Sequence, residues 1–179
     1  VALGDINGGN AQAAVIASAY AFGGDLNNLD PAFDFWTQMA EDGRINTLDI
    51  LQQNFETGEI PVGVIWSFTA IPYKDQITKY KLQANIPTDG SIMSGYASVI
   101  NKYAPHPCAA ALAREYIFSD EGQANLAAAG AIPTRTDVEI PDDIQNATFK
   151  SEDYANAIPM EDTDAYTKAC ETVFLQLFH

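Results

Sequence analysis

The sequence is poor in positive charge. Its 179 residues include 9 Lys and Arg against 24 Asp and Glu, which gives a formal net charge of −15 at pH 7. Nucleic-acid-binding proteins concentrate Lys and Arg on their binding surface, and adhesion to anionic lipid needs the same residues. The composition therefore excludes nucleic acid as a partner and argues against a membrane surface. With 47% hydrophobic and 18% charged residues, it is typical of a globular protein, and its length fits one full domain or one domain and part of another.

Cysteine and histidine are also scarce. Cys108 and Cys170 lie far apart, and neither has a CxxC partner, which excludes zinc ribbons and thioredoxin-like chemistry. One disulfide in an oxidising compartment and two buried thiols are both compatible with this pair. The chain has two histidines, His106 and His179, which offer few ligands for a metal site and few candidates for the base of a catalytic triad. We therefore expect no metal, no cofactor and no catalytic residues.

Long hydrophobic runs are absent. No stretch approaches the ~18 uncharged apolar residues that cross a bilayer. The first residues lack the basic and apolar regions of a signal peptide, and their sequence, VALGD, is typical of the interior of a domain. A missing N-terminal half would take any signal peptide with it.

Strands and helices alternate along the sequence, which predicts an α/β fold. Residues 1–3 are expected to end a buried strand, and residues 60–66 are almost continuously apolar, as in a strand buried on both faces. We expect these two segments in one mixed sheet flanked by helices. Helices are predicted at 11–22, 32–41, 48–55, 108–118 and 119–130, strands also at 82–86 and 91–101, and an acidic helical tail at 142–179.

The helix predicted at 32–41 is amphipathic. Phe33, Trp36 and Ala40 recur at the spacing of one helical face. The pattern predicts that Trp36 is buried in the core.

Two stretches resemble the extracellular solute-binding proteins of bacterial ABC importers. The first is GEIPVGVIWSFTAIPYKDQ at 58–76. In the second, at 95–134, a strand, a Pro-containing turn, the helix start SDEGQ and the segment IPT follow one another. This order is similar to the C-terminal half shared by the iron(III)-, polyamine- and maltose-binding branches. The resemblance covers nearly the whole chain and is greatest to the iron(III) and polyamine branches.

The resemblance implies a type II periplasmic-binding fold, in which two α/β lobes enclose a solute. Residues 1–88 and 132–179 would form the C-terminal lobe, and 89–131 would cross to the mostly absent N-terminal lobe. The implied function is non-enzymatic capture of a small polar or charged solute in the interlobe cleft and its delivery to a membrane permease, in the periplasm or outside the cell. An enzyme on the same scaffold and the ligand-sensing domain of a membrane receptor are the alternatives.

The first candidate binding segment is the loop Asn7, Gly8, Gly9 and Asn10. Backbone N–H groups at the start of a helix lack partners within the helix, and glycines let a ligand approach them. The alternative is an ordinary Gly-rich turn capped by Asn7 or Asn10. The resemblance favours binding, because the iron-binding branch holds its anion on the matching loop.

The second candidate segment is Trp66, Ser67 and Phe68, at the carboxyl end of a predicted strand, where ligands gather in open α/β sheets. Trp66 offers a flat face for stacking, and Ser67 offers a hydroxyl. Packing at a hinge is the alternative for both aromatic residues. The polyamine-binding branch has a cleft Trp at the position of Trp66. The iron-binding branch has tyrosines where this chain has Phe68 and Thr69, so we expect no iron coordination of that kind.

Ser94 and Tyr96 are the last candidates. They lie on a predicted crossing strand, where a cleft-facing position and ordinary packing are both open. The polyamine-binding branch supplies acidic residues here and on the first helical turn, whereas this chain offers only Asp5 and Asp89 nearby.

Overall fold

The computed structural model describes residues 1–5, 7–46, 48–160 and 163–177. The helices are α1 (Gly9–Ala21), α2 (Asp30–Glu41), α3 (Gln52–Thr57), α4 (Ser67–Gln76), α5 (Pro107–Ile117), α6 (Asp120–Ala128), α7 (Asp142–Ala147) and α8 (Thr163–Leu177), with a 3-10 helix at Ser151–Tyr154. Strands β1 (Ile92–Met93) and β2 (Ile158–Pro159) pair in parallel. The architecture is α/β and mostly helical, with small parallel pairings where a mixed sheet was expected. None of the described helices is both long and apolar enough to span a membrane.

The chain divides into two compact units. Unit 1 comprises Val1–Ser94 and Glu152–His179, and unit 2 comprises Gly95–Ser151. Unit 1 contains α1 to α4, β1, β2 and α8, whereas unit 2 contains α5, α6 and α7. The assignment of residues to two lobes stays a prediction.

Unit 1 contains two apolar cores. The first lies where α1 packs against α2 and α8, and its buried residues are Val15, Ile16, Ala19, Leu29, Ala32, Ala169 and Val173. Alanines on α1 and α2 allow the helices to approach closely, which is why an Ala-rich sequence suits this position. The second core consists of Ala2, Phe55, Ile60 and Ile77.

Three extended segments meet at Ala2 and position the candidate site. Ala2 forms parallel bridges to Asn46 on one side and to Gly63 on the other. Its N–H donates to the Val62 carbonyl at 2.8 Å, and its carbonyl accepts from the Val64 N–H at 3.0 Å. Residues 1–3 and 60–66 therefore do pair, although through single bridges rather than an extended ladder.

The regular strand predicted over residues 60–66 is wrong. Pro61 has no N–H to donate, and Gly63 lies so close to the Phe55 ring that a Cβ there would be 2.8 Å from its Cζ. Val62, expected to be buried, is exposed. The chain then enters α4 directly after Trp66, and this helix was not predicted.

The other predicted strands are also mostly absent. Residues 82–86 alternate in exposure, as the pattern indicated, but no strand is assigned there. Of residues 91–101, only Ile92–Met93 form a strand. By contrast, the helices predicted at 11–22, 32–41, 108–118 and 119–130 are confirmed as α1, α2, α5 and α6. The helix predicted at 48–55 is found as α3, which begins later, and the tail contains α7 and α8 rather than one continuous helix.

Trp36 is half-buried, not buried as predicted. It packs at the edge of the first core, and its indole N–H donates to Ser18 Oγ at 3.1 Å. The deepest position on α2 belongs to Ala32, and Ala40 is exposed. A helical spacing identifies a face, but it does not decide which residue of that face lies deepest.

A buried amide organises unit 2. Gln123 is fully buried; its Nε2 donates to the Ile117 carbonyl at 2.8 Å, and its Oε1 accepts from the Arg135 N–H at 3.0 Å. The Arg135 guanidinium forms ion pairs with Asp120 and Asp137. The hydrogen bond that the Arg135 guanidinium donates to Asp137 lowers the pKa of the Asp137 carboxyl.

Candidate functional site

Helices α1 and α4 begin at the same edge of the paired segments. Ala2 and Gly63 pair in parallel, so the chain leaves both segments in the same direction. Asn10 holds the two ends together, because its Nδ2 donates to the Leu3 carbonyl at 3.0 Å and to the Val64 carbonyl at 3.4 Å. The segments that lead into the two helices are therefore linked through Asn10.

The loop before α1 is closed by its own hydrogen bonds. The backbone N–H and the side-chain amide of Asn7 both donate to Asp5 Oδ1, at 2.9 and 2.8 Å. Gly8 is the N-cap residue, with no side-chain cap, so the alternative of a turn capped by Asn7 or Asn10 does not describe this loop. A Cβ at Gly8 would lie 2.8 Å from Asn10 Oδ1, which explains the glycine at this position.

Trp66 lies near the first turn of α1. A Cβ built at Gly9 would be 4.0 Å from Cζ2 of the indole, so the ring is close to this glycine. Gly9 is exposed and Trp66 is half-buried. This is the partly exposed position beside the Gly- and Asn-rich loop that was predicted for Trp66.

Ser67, the first residue of α4, shares a side-chain hydrogen bond with Tyr154. Tyr154 is half-buried at the end of the 3-10 helix. Burial above all, and then the charge of Asp153, raise the pKa of its phenol, while the bond to Ser67 opposes the shift. Sequence reasoning missed this residue, because no pattern links a tyrosine to a serine so far away along the chain.

The remaining predicted residues have separate positions. Phe68 is half-buried in the first turn of α4. Ser94 is exposed and is the last residue of the first segment of unit 1. Tyr96 belongs to unit 2 and is 82% exposed. Unit 1 thus brings together the Asn7–Asn10 loop, Trp66 and Ser67, and ligand binding by all the predicted residues stays a prediction.

The cysteines are both free thiols. Cys108 is exposed and Cys170 is half-buried, so neither alternative from the sequence describes the pair. Burial raises the pKa of the Cys170 thiol, and a hydrogen bond with Tyr166 offsets only part of this rise. Within the described ranges, no three His, Cys, Asp or Glu residues are grouped so as to hold a metal ion. His179 lies outside those ranges.

Comparison with known proteins gives one family. Residues 1–159 match the family model described as bacterial extracellular solute-binding protein. The matched range includes the Asn7–Asn10 loop, Trp66, Ser67 and Tyr154. A comparison with curated proteins found no match.

Proposed function

The chain belongs to the bacterial extracellular solute-binding proteins, and we propose that it is the substrate-binding component of an ABC import system. In this role it captures a small polar or charged solute outside the cytoplasmic membrane and delivers it to a membrane permease. The family supports binding and transport, and the residues of unit 1 support the place of binding.

The observation that carries the proposed site is the position of the Trp66 ring near Gly9, in the first turn of α1. The indole offers a flat apolar face, worth ~0.5–2 kcal/mol against a cation or a stacked group. Beside it, Gly9 leaves the backbone open to a ligand, and helix starts carry N–H groups that the helix itself does not use. One solute can therefore meet an apolar surface and hydrogen-bond donors together. The proposed site consists of Asn7, Gly8, Gly9, Asn10, Trp66, Ser67 and Phe68, with Ser94 and Tyr96 as further candidates.

Within the family, we propose an organic solute rather than iron. The resemblance to the iron-binding branch fails at its metal ligands, because Phe68 and Thr69 provide no phenolate. Trp66 supports the polyamine-binding branch instead. The acidic residue nearest the loop is Asp5, and its carboxylate already accepts two hydrogen bonds from Asn7.

The lobe assignment is part of the same proposal. Residues 1–88 and 132–179 are proposed to form the C-terminal lobe, and residues 89–131 to cross to the other lobe. Closure of two lobes on the solute is the working motion that the family implies, driven by contacts that the solute makes with both.

The test is a solute screen by thermal unfolding. The panel contains putrescine, spermidine, inorganic phosphate, citrate, glutamate, maltose and iron(III) citrate. A compound at 100 times its dissociation constant stabilises the protein by about 2.7 kcal/mol. We expect an organic compound to raise the melting temperature and to be recovered unchanged by mass spectrometry. Stabilisation by no compound would contradict the proposal, and recovery of a chemically altered compound would favour the enzyme alternative.

A further inference from the structure

The side chain of Asn10 links the two segments that carry the proposed site. Its Nδ2 donates to the Leu3 carbonyl at 3.0 Å and to the Val64 carbonyl at 3.4 Å. The Val64 N–H itself donates to the Ala2 carbonyl at 3.0 Å, so the amide bonds one carbonyl on each segment just beyond this backbone pairing. An asparagine amide has two hydrogens, and each of them has an acceptor inside unit 1.

Two glycines make room for this half-buried side chain. A Cβ at Gly4 would lie 3.4 Å from Asn10 Nδ2, and a Cβ at Gly8 would lie 2.8 Å from Asn10 Oδ1. Gly4 also has a φ of 76°, a backbone conformation that favours glycine. The amide is therefore enclosed by backbone on two sides as well as bonded, which holds it in one position.

The bonds of Asn10 span the gap between the two parts of the site. Asn10 follows Gly9 in the first turn of α1, and Val64 lies two residues before Trp66. A Cβ built at Gly9 would be 4.0 Å from Trp66 Cζ2. The bond from Asn10 to Val64 therefore ties together the same two segments whose spacing places the ring near Gly9. A site already held at its bound spacing loses less conformational freedom when a ligand binds.

We propose that Asn10 is the positioning residue of the proposed site. It holds the Gly8–Gly9 backbone and the Trp66 ring at the spacing that the solute needs, and it does not itself bind the solute. This inference rests on the proposed function, since it deepens the same site. It changes the role predicted for Asn10 from a solute contact to a support for the residues that make the contacts.

The test replaces Asn10 by leucine, which is similar in size and has no donor. Trp36→Phe is introduced into every protein compared, so that Trp66 is the single tryptophan. In Asn10→Leu, the emission of the solute-free protein should shift to longer wavelength and be quenched more readily by acrylamide, because the indole is no longer held near Gly9. The dissociation constant of the panel compound with the largest thermal shift should rise about 3- to 10-fold, measured by titration calorimetry.

Asn46→Leu is the matched control. Asn46 is also half-buried, and its side chain also bonds to backbone: its Nδ2 donates to the Glu59 carbonyl at 2.9 Å, and its Oδ1 accepts from the Leu48 N–H at 2.9 Å. It pairs with Ala2 on the side away from Gly63. The control should melt at a lower temperature, but its tryptophan emission and its dissociation constant should match those of the reference protein.

Asn10→Asp is a second variant, with the shape of asparagine. At pH 7.5 its carboxylate faces the Leu3 and Val64 carbonyls with no hydrogen to donate, so the same shift in emission and the same loss of affinity are expected. Using two variants guards against a leucine that simply fails to fold.

Three outcomes would overturn the inference and leave the proposed function standing. Weaker binding with an unchanged emission of the solute-free protein would make Asn10 a direct contact of the solute. Normal binding with a shifted emission would show that the spacing does not matter, and failure of both variants to fold would give Asn10 a role in stability alone. If no panel compound binds the unmodified protein, the proposed function itself fails, and the role of Asn10 in binding fails with it.

Discussion

The two tryptophans of unit 1 differ in what their rings contact. Trp36 packs at the edge of the first core and donates to Ser18, whereas Trp66 lies beside the exposed backbone of Gly9. A ring over exposed backbone remains available to a ligand, while a ring that fills the rim of a core is committed to stability. Their substitutions should therefore have opposite effects.

Trp66→Ala should weaken binding of the best panel compound by roughly 1–3 kcal/mol, because stacking and apolar contact are both lost. Its melting temperature should change little. Titration calorimetry and thermal unfolding of the same preparation check the two halves of this prediction. An unfolded Trp66→Ala protein would show that the ring is packing alone.

Trp36→Ala is the matched control for Trp66. It should lower the free energy of unfolding by about 1–3 kcal/mol, less than the loss of a fully buried Trp, since the ring is only half-buried. The dissociation constant of the panel compound should not change.

Gln123 offers a second test at the residue scale. Gln123→Leu keeps the side chain's approximate size but leaves the Ile117 carbonyl and the Arg135 N–H without their partner, which should cost about 1–3 kcal/mol in urea unfolding. Gln145→Leu is the control, because Gln145 also donates to a backbone carbonyl, that of Ile140, but is exposed to water. Equal losses in the two variants would contradict the argument.

At the scale of elements, α1 is packed on several sides, so the segments that touch it must have small residues at the points of contact. It packs against α2 and α8 through small residues, and the turn before β1 also lies directly on it. At Gly90 a Cβ would overlap the Ala17 carbonyl oxygen and lie 3.0 Å from the Ala21 Cβ. Only a glycine lets the chain pass this close to the helix.

Gly90→Ala should therefore destabilise the protein by about 1–3 kcal/mol, since neither the α1 backbone nor the turn can move freely. Gly95→Ala is the control, because nothing lies within 4 Å of a Cβ there. Denaturant unfolding of both variants checks the prediction, and a Gly90→Ala protein as stable as Gly95→Ala would show that the turn is not packed on α1.

At the scale of the whole molecule, a net charge of −15 at pH 7 repels itself in the compact state. Raising NaCl from about 0.02 to about 0.5 M shortens the Debye length to a few Å and screens this repulsion. The melting temperature should therefore rise over that range, as measured by differential scanning fluorimetry. A fall would mean that the ion pairs of Arg135 and the other cations outweigh the general repulsion.

The sequence by itself determined the α/β class, most helices and the solute-binding family, because helical periodicity, Pro and Gly boundaries and the order of segments are properties of neighbouring residues. It also indicated Trp66 and the loop from Asn7 to Asn10 as one region. Only the tertiary structure decided that residues 60–66 form a single bridge. Pairing in this segment depends on the absence of an N–H on Pro61 and on the closeness of the Phe55 ring to Gly63.

Tertiary structure also decided the depth of each aromatic ring and the contacts of the site. Trp36 is half-buried because Ala32, and not the indole, lies deepest on α2. Tyr154 reaches Ser67 because the chain returns to unit 1 after unit 2, and no local pattern records such a return. Contacts between distant residues depend on packing in three dimensions, whereas the elements that make those contacts depend mainly on local sequence.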